Sequence, residues 1–373
     1  MGHAPSSPDH TRIIRAWLLA VAACVFLTLV IGGATRLTES GLSIVEWKPV
    51  TGVFPPLSDG QWQAEFAKYQ TIPQYRALNR GMTLGEFKTI YWWEWTHRLA
   101  ARLAGAVFLL PFLAFLWRDW IQPDLRPRLW GIFGLGALQG MVGWWMVASG
   151  LEQRIDVSQY RLALHLTLAC VLYVAVVWTA VRLTAASPGE IPGSSVRAPG
   201  RIRAGAVGVL VLVLAQIYLG ALVAGLDAGL IYNTWPLIDG HVVPPAEALF
   251  SAEPAWRNLF ENRLTVQFDH RMVAYALLLA ATAHALDVVR TCRNGHTPRT
   301  RRVVTPAAVL AAAVVVQASL GIMTSVFQAP LALALVHQAM AILVLTLAAV
   351  HAAKITSIGA SVIAGPVAVS SAR

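Results

Sequence analysis

Apolar residues along this chain do not alternate with polar ones. They gather in eight long blocks, near residues 16–35, 96–117, 130–149, 161–181, 204–225, 268–289, 303–325 and 331–353. Each block approaches the roughly 20 residues that an α-helix needs to cross a bilayer core. Lipid offers the backbone no hydrogen-bond partner, so a spanning segment is either a helix or a strand of a closed barrel. A barrel strand alternates and these blocks do not. The pattern therefore predicts an all-α integral membrane protein with eight transmembrane helices. Two of the intervening stretches are long, 36–95 and 226–267, and both are rich in Trp and Pro. Residues 58–90 have the polar, mixed-charge composition of a small amphipathic cap.

Composition agrees with this reading. The chain is 56% hydrophobic and 13% charged, where a soluble domain carries about 25% charge. The net charge of +10 matters less than its placement. Eight spans put both termini on one side. The segments of that side hold sixteen Arg and Lys against five acids, a net of +11; the other side holds thirteen against fourteen, a net of −1. The positive-inside rule then places both termini in the cytoplasm. The basic balance is thus topology, with the lipid bilayer as partner. No interleaving of basic and aromatic residues points to nucleic acid. The cysteines, Cys24, Cys170 and Cys292, form no CxxC and leave both long outer loops without a thiol.

The chain also repeats itself. Gly32-Gly33, Gly41-Leu42 and Trp47 recur as Gly220-Ala221, Gly229-Leu230 and Trp235, at an offset of 188. His97-Arg98 recurs as His270-Arg271, Gln139…Gly143 as Gln317…Gly321, and His165 as His337. The offsets drift because insertions fall in loops, where they are tolerated. Each half is four helices, and four spans return the chain to its starting side. Two pseudo-symmetric four-helix bundles follow, related by an axis along the membrane normal. The expected organisation is a cytoplasmic tail 1–15, a first half 16–182, a cytoplasmic linker 183–203, a second half 204–353 and a cytoplasmic tail 354–373.

Four histidines sit at repeated positions within the apolar blocks. His97 and His270 open the second and sixth spans from the outside; His165 and His337 lie about a turn into the fourth and eighth. All four are therefore expected at similar depth, near the outer surface. A neutral imidazole is a good ligand for heme iron, and two on facing helices can clamp a porphyrin. Each half can then hold one bis-histidine heme. His284 and His351 each follow a member of the second pair by 14 residues, nearly four helical turns, so they share its helix face. They fall at cytoplasmic helix ends, where histidine commonly meets water. His3, His10, His241 and His296 fall in tails or loops and are expected to be solvated.

The halves differ at one informative place. Glu94, three residues before His97, shares its helix face, and its counterpart is Gln267. A carboxylate at the apolar boundary is costly to ionise. One half thus has an ionisable group beside its porphyrin and the other a neutral isostere, which reads as one reactive site and one electron-transfer site. Arg98 and Arg271 follow the histidines and are available to heme propionates, lipid headgroups or loops.

These marks together resemble the heme A synthase family. The resemblance covers residues 15–353 and rests on Glu94-Trp95-Thr96-His97-Arg98, on Phe268-Asp269-His270-Arg271, on His165 and His337, and on the segment from Gly32 to Ser43. It is closer to the proteobacterial and mitochondrial branch, since the first outer loop lacks the cysteine pair of other members. It implies a heme B cofactor on His270 and His337. It implies heme O as substrate, with His97 and His165 as its axial ligands, and Glu94 as the catalytic carboxylate. The implied reaction takes a ring methyl to a formyl group by successive oxidations. Heme O synthase and a membrane electron donor are the implied partners, and the bacterial inner membrane the location, with the heme sites towards the periplasm. A homo-oligomer is compatible with the sequence. Two competing readings are a diheme b-type cytochrome that moves electrons from quinol, and a non-enzymatic heme carrier or assembly factor.

Overall fold

The computed structural model describes residues 8–183, 198–292 and 298–357. Most of the expected linker 183–203, most of the tail 354–373, the first residues of the tail 1–15, and His3 and His296 lie outside the described residues. The elements in order are α1 (Pro8–Leu37), α2 (Asp59–Tyr69), α3 (Pro73–Ala77), α4 (Leu84–Trp117), α5 (Arg126–Ala148), α6 (Gln159–Arg182), α7 (Gly200–Gly225), α8 (Ala246–Leu249), α9 (Asn258–Glu261), α10 (Arg263–Cys292), α11 (Pro298–Val326) and α12 (Leu331–Ser357). Eight helices among the described residues are long and apolar enough to cross a membrane: α1, α4, α5, α6, α7, α10, α11 and α12. These are the eight apolar blocks. The second helix begins at Leu84 rather than 96, because Thr83 and Glu86 form a capping box outside the apolar run. An apolar block marks only the part of a helix that meets lipid.

The central contact between the halves is made by α1 and α6 of the first half and α7 and α12 of the second. In lipid such contacts rest on close packing and polar glue rather than on expulsion of water. Both are present. Tyr173 and Thr346 join α6 to α12 through their hydroxyls at 2.8 Å. Gln338 of α12 donates to the Leu29 carbonyl at 2.7 Å, and its amide fills the space beside Gly33 that any side chain would occupy.

The bundles are alike except along one seam. In the second half α11 packs along α10, whereas in the first half the backbones of α4 and α5 stand further apart and side chains bridge them: Phe112 meets Trp130 at 4.9 Å, Phe108 meets Phe133 at 6.5 Å and Arg98 lies over Trp144 at 5.9 Å. Gly131, Gly134, Gly136 and Gly140 of α5 face open space. At the corresponding positions α11 carries Val309, Ala312, Val314 and Ala318. The first bundle is therefore more widely spaced between its second and third spans than the second bundle is between its own.

Both long loops lie at the histidine-bearing end of the bundle. The first forms the expected cap. Helix α2 starts from a Ser58–Gln61 capping box, and Trp62, Tyr69, Phe87 and Tyr91 pack as its buried aromatic core. Lys68 lies 2.8 Å from both Glu46 and Glu65, and Lys48 joins Glu46 at 2.5 Å, so charge also pins the cap to the start of the loop.

Candidate heme-binding site

Each of the four histidines is bedded on a glycine of the helix preceding its own span. A Cβ added at Gly32 would lie 2.6 Å from Cε1 of His97; at Gly143, 2.8 Å from His165; at Gly220, 3.1 Å from His270; at Gly321, 2.9 Å from His337. Only glycine lets the imidazoles lie so close to the neighbouring backbone. One turn before each glycine stands a polar residue: Thr28, Gln139, Gln216 and Gln317. The amide nitrogens of Gln139, Gln216 and Gln317 approach Nδ1 of His165, His270 and His337 at 3.1, 3.0 and 3.2 Å. The four residues before the glycines carry an x-x-x-Gly signal. Its Gln139…Gly143 and Gln317…Gly321 copies are visible in the sequence as marks of the repeat, yet nothing there ties them to the histidines.

The fold brings the histidines together two by two. His97 lies within electrostatic range of His165, and His270 within range of His337. No group of three or more His, Cys, Asp or Glu suited to a bare metal ion occurs among the described residues. The donor set instead suits a porphyrin, which brings four nitrogens and asks two imidazoles of the protein. The amide oxygens of Gln139, Gln216 and Gln317 and Nδ1 of His97 are buried without partners among the described residues, so polar capacity is left over beside all four rings.

Glu94 is placed differently from the sequence expectation of an apolar setting. It is 2% exposed, but its carboxylate is fully engaged. It accepts from Ser43 Oγ at 2.8 Å and the Ile44 main-chain N–H at 2.7 Å. It also accepts from Arg98 at 2.6 and 3.1 Å. Arg98 donates onward to the carbonyls of Ile44 and Glu46. The second half repeats this scaffold without the charge. Gln267 donates to the Tyr232 carbonyl, and Arg271 donates to the carbonyls of Tyr232, Thr234 and Leu237. Tyr232 and Thr234 are the repeat counterparts of Ile44 and Glu46. Both arginines thus spend their donors on the loop that follows the first helix of their half. In each half that loop is tied to the helix that bears the histidine.

The inner histidines depart from expectation. His284 and His351 are buried, not solvated, and their Nε2 atoms meet at 2.9 Å with the rings 69° apart. Two imidazoles on opposite faces of one iron stand roughly 4 Å apart, twice a metal–imidazole bond of about 2 Å. This pair is closed on itself, and it knits α10 to α12. His10 is also partly buried, stacked on Trp120 at 4.4 Å. His241 is exposed in the second loop, as expected.

Comparison with known proteins bears on the same residues. The family described as cytochrome oxidase assembly protein matches residues 15–349. The chain belongs to this family. Relatives named heme A synthase include one from Rhodopseudomonas palustris strain HaA2, 56% identical over 94% of this chain and 92% of its own. Another, from strain BisA53, is 57% identical over 90% and 89%. A third, from Bradyrhizobium diazoefficiens, is 54% identical over 95% and 94%. The matched region begins within α1 and ends within α12, so family membership takes in both outer histidine pairs, both outer loops and the contact between the halves.

Proposed function

We propose that this chain is a heme A synthase, which oxidises a ring methyl of heme O to a formyl group in successive steps and so provides heme A for cytochrome oxidase. Membership of a cytochrome oxidase assembly family and relatives of that name over nine-tenths of the chain support the reading. The observation that carries it is the pairing of two similar imidazole sites with dissimilar surroundings. In the first bundle the backbones of α4 and α5 stand apart and Glu94 lies beside the histidine; in the second α10 and α11 pack closely and Gln267 takes that place. A site that takes in a large substrate and releases a product needs a seam that can part, and one bridged by side chains alone parts more readily than one with closely packed backbones; a resident cofactor has no such need.

In this reading His97 and His165 hold the iron of heme O. His270 and His337 hold heme B, which supplies electron transfer. The neutral imidazole is the form that ligates iron. Glu94 acts at the reacting edge of the substrate, stabilising developing charge or directing a proton. Arg98 holds that carboxylate in place, and its ties to Ile44 and Glu46 set the loop over the site. Propionates, if they come to Arg98 or Arg271, compete with these loop carbonyls. The protein sits in the bacterial inner membrane with both termini inside and the heme sites towards the periplasm, where it meets heme O synthase and an electron donor.

The test is extraction and chromatography of hemes from cells that make heme O synthase with or without this chain. Heme A is expected only when the chain is present, and not with His97→Ala or His165→Ala. Unchanged heme O, with heme B alone bound to the purified protein, would favour a simple cytochrome or carrier.

A further inference from the structure

The four imidazoles differ in what stands behind them. Behind His165, His270 and His337 the arrangement is the same three times over. A glutamine one turn before the bedding glycine brings its amide nitrogen against the ring, 3.0–3.2 Å from Nδ1 and 3.2–3.5 Å from Nε2, and its Oε1 is buried without a partner among the described residues. Behind His97 the same place is held by Thr28, whose hydroxyl is turned back onto its own helix, donating to the Cys24 carbonyl at 2.8 Å. His97 Nδ1 is itself buried and unpartnered among the described residues. We infer that Gln139, Gln216 and Gln317 are positioning residues for the axial imidazoles, and that His97, which lacks one, is the ligand that exchanges when heme enters and leaves the first half. This rests on the reading that each half holds a heme.

An imidazole that gives Nε2 to iron carries its proton on Nδ1, and a buried N–H needs an acceptor. The amide oxygen of each glutamine is a spare acceptor beside the ring, reached by turning the amide about its last bond, which for Gln139 and Gln216 exchanges a donation to the main-chain carbonyl of the same histidine. The bond so formed fixes the tautomer and the ring plane and makes the ligand more basic. Thr28 has no amide to turn. The Thr28 main-chain carbonyl lies beside His97 as those of Gln216 and Gln317 lie beside His270 and His337, and a helical carbonyl keeps a second lone pair, so what His97 lacks is the side-chain partner. His97 also stands on α4, one side of the widely spaced seam between α4 and α5. The least secured ligand is thus on the helix beside which a heme would pass.

The experiment uses the full chain loaded with heme B. Transfer of heme to excess apomyoglobin is followed optically, and midpoint potentials are taken by redox titration. The phase belonging to the first half is assigned with His270→Ala. Wild type is expected to release heme in two phases, the first half faster. Gln216→Leu should speed the slow phase about 10–100-fold, the usual effect of losing such a partner. Gln216→Glu should restore retention and lower the midpoint potential, because a carboxylate is a stronger acceptor. Thr28→Gln should slow the fast phase. A Gln216→Met chain with wild-type release and potential would mean that the side chain only fills space, and would overturn the positioning role. An unchanged fast phase in Thr28→Gln would overturn the assignment of His97. If release changes as expected while no variant or wild type forms heme A, the proposed function fails and this inference stands; a wild-type chain that takes no heme overturns both.

Discussion

Replacing Glu94 by Gln makes the first half resemble the second, and the structure says what that costs. The carboxylate accepts four hydrogen bonds, from Ser43, Ile44 and twice from Arg98. A glutamine has one acceptor oxygen, so turning it to the Ile44 N–H points its NH₂ at the guanidinium, and turning it to Arg98 leaves the Ile44 N–H bare. One buried donor unpaired costs roughly 1–3 kcal/mol. Removing one partner of a buried ion pair costs about 3–5 kcal/mol when the other is stranded. Arg98 is not stranded, because it keeps the carbonyls of Ile44 and Glu46, and the second half folds with Gln267 beside Arg271 in the same scaffold. A loss of about 2–4 kcal/mol follows, which lowers Tm without abolishing the fold. The catalytic effect is separate. Loss of one positioned electrostatic group typically costs ~10²–10³ in rate. The assay is the ratio of heme A to heme O extracted per folded protein, with folded protein measured by size-exclusion chromatography and Tm. The expected result is a lower Tm, normal heme content and a collapse of heme A. A heme A to heme O ratio equal to wild type would refute a catalytic role for Glu94. It would leave the carboxylate as the post that fixes the loop at residues 43–46.

Three further outcomes are expected. His270→Ala and His337→Ala should each reduce bound heme B while leaving the eight-helix fold; full heme B in both, with loss in His284→Ala instead, would move the cofactor to the inner side. Periplasmic reporters fused after Arg80 and after Pro245 should be active and one after Arg197 silent, and activity of the last would break the topology drawn from the charge asymmetry. The cap should loosen at both pH extremes, read as protease cleavage within residues 50–80. Lys48 and Lys68 hold the Glu46 carboxyl below its usual range, so its contribution is present above the unfolded value near 4.3 and is lost as pH falls through the depressed one. Burial pulls the Lys68 ammonium down but Glu46 and Glu65 more than offset it, leaving its pKa raised. That contribution is therefore present below about 10.4 and lost as pH rises through the higher folded value. Cleavage that does not vary from pH 3 to pH 7 would contradict the ion-pair account of the cap.

Much was legible without a structure. Eight spans follow from block length, because a bilayer imposes one length on every crossing helix. The pseudo-symmetric halves follow from residues that recur at offsets near 170–190. The four histidines stand out because polar groups are expensive in apolar helices and these come in matched pairs. What the sequence could not supply was which helices face one another. The glutamines at 139, 216 and 317 are neighbours of histidines 20–54 residues away, and such pairings belong to packing rather than to periodicity. The same holds for Glu94. Its position promised an apolar setting, but a loop 50 residues earlier folds back to give it two donors, and Arg98 supplies a charge. His284 and His351 looked like water-facing helix ends until helix contact closed them on each other. The wide spacing of α4 and α5 is likewise a tertiary fact: the glycines of α5 are plain in the sequence, but glycine permits both close packing and empty space, and only the arrangement of helices decides between them.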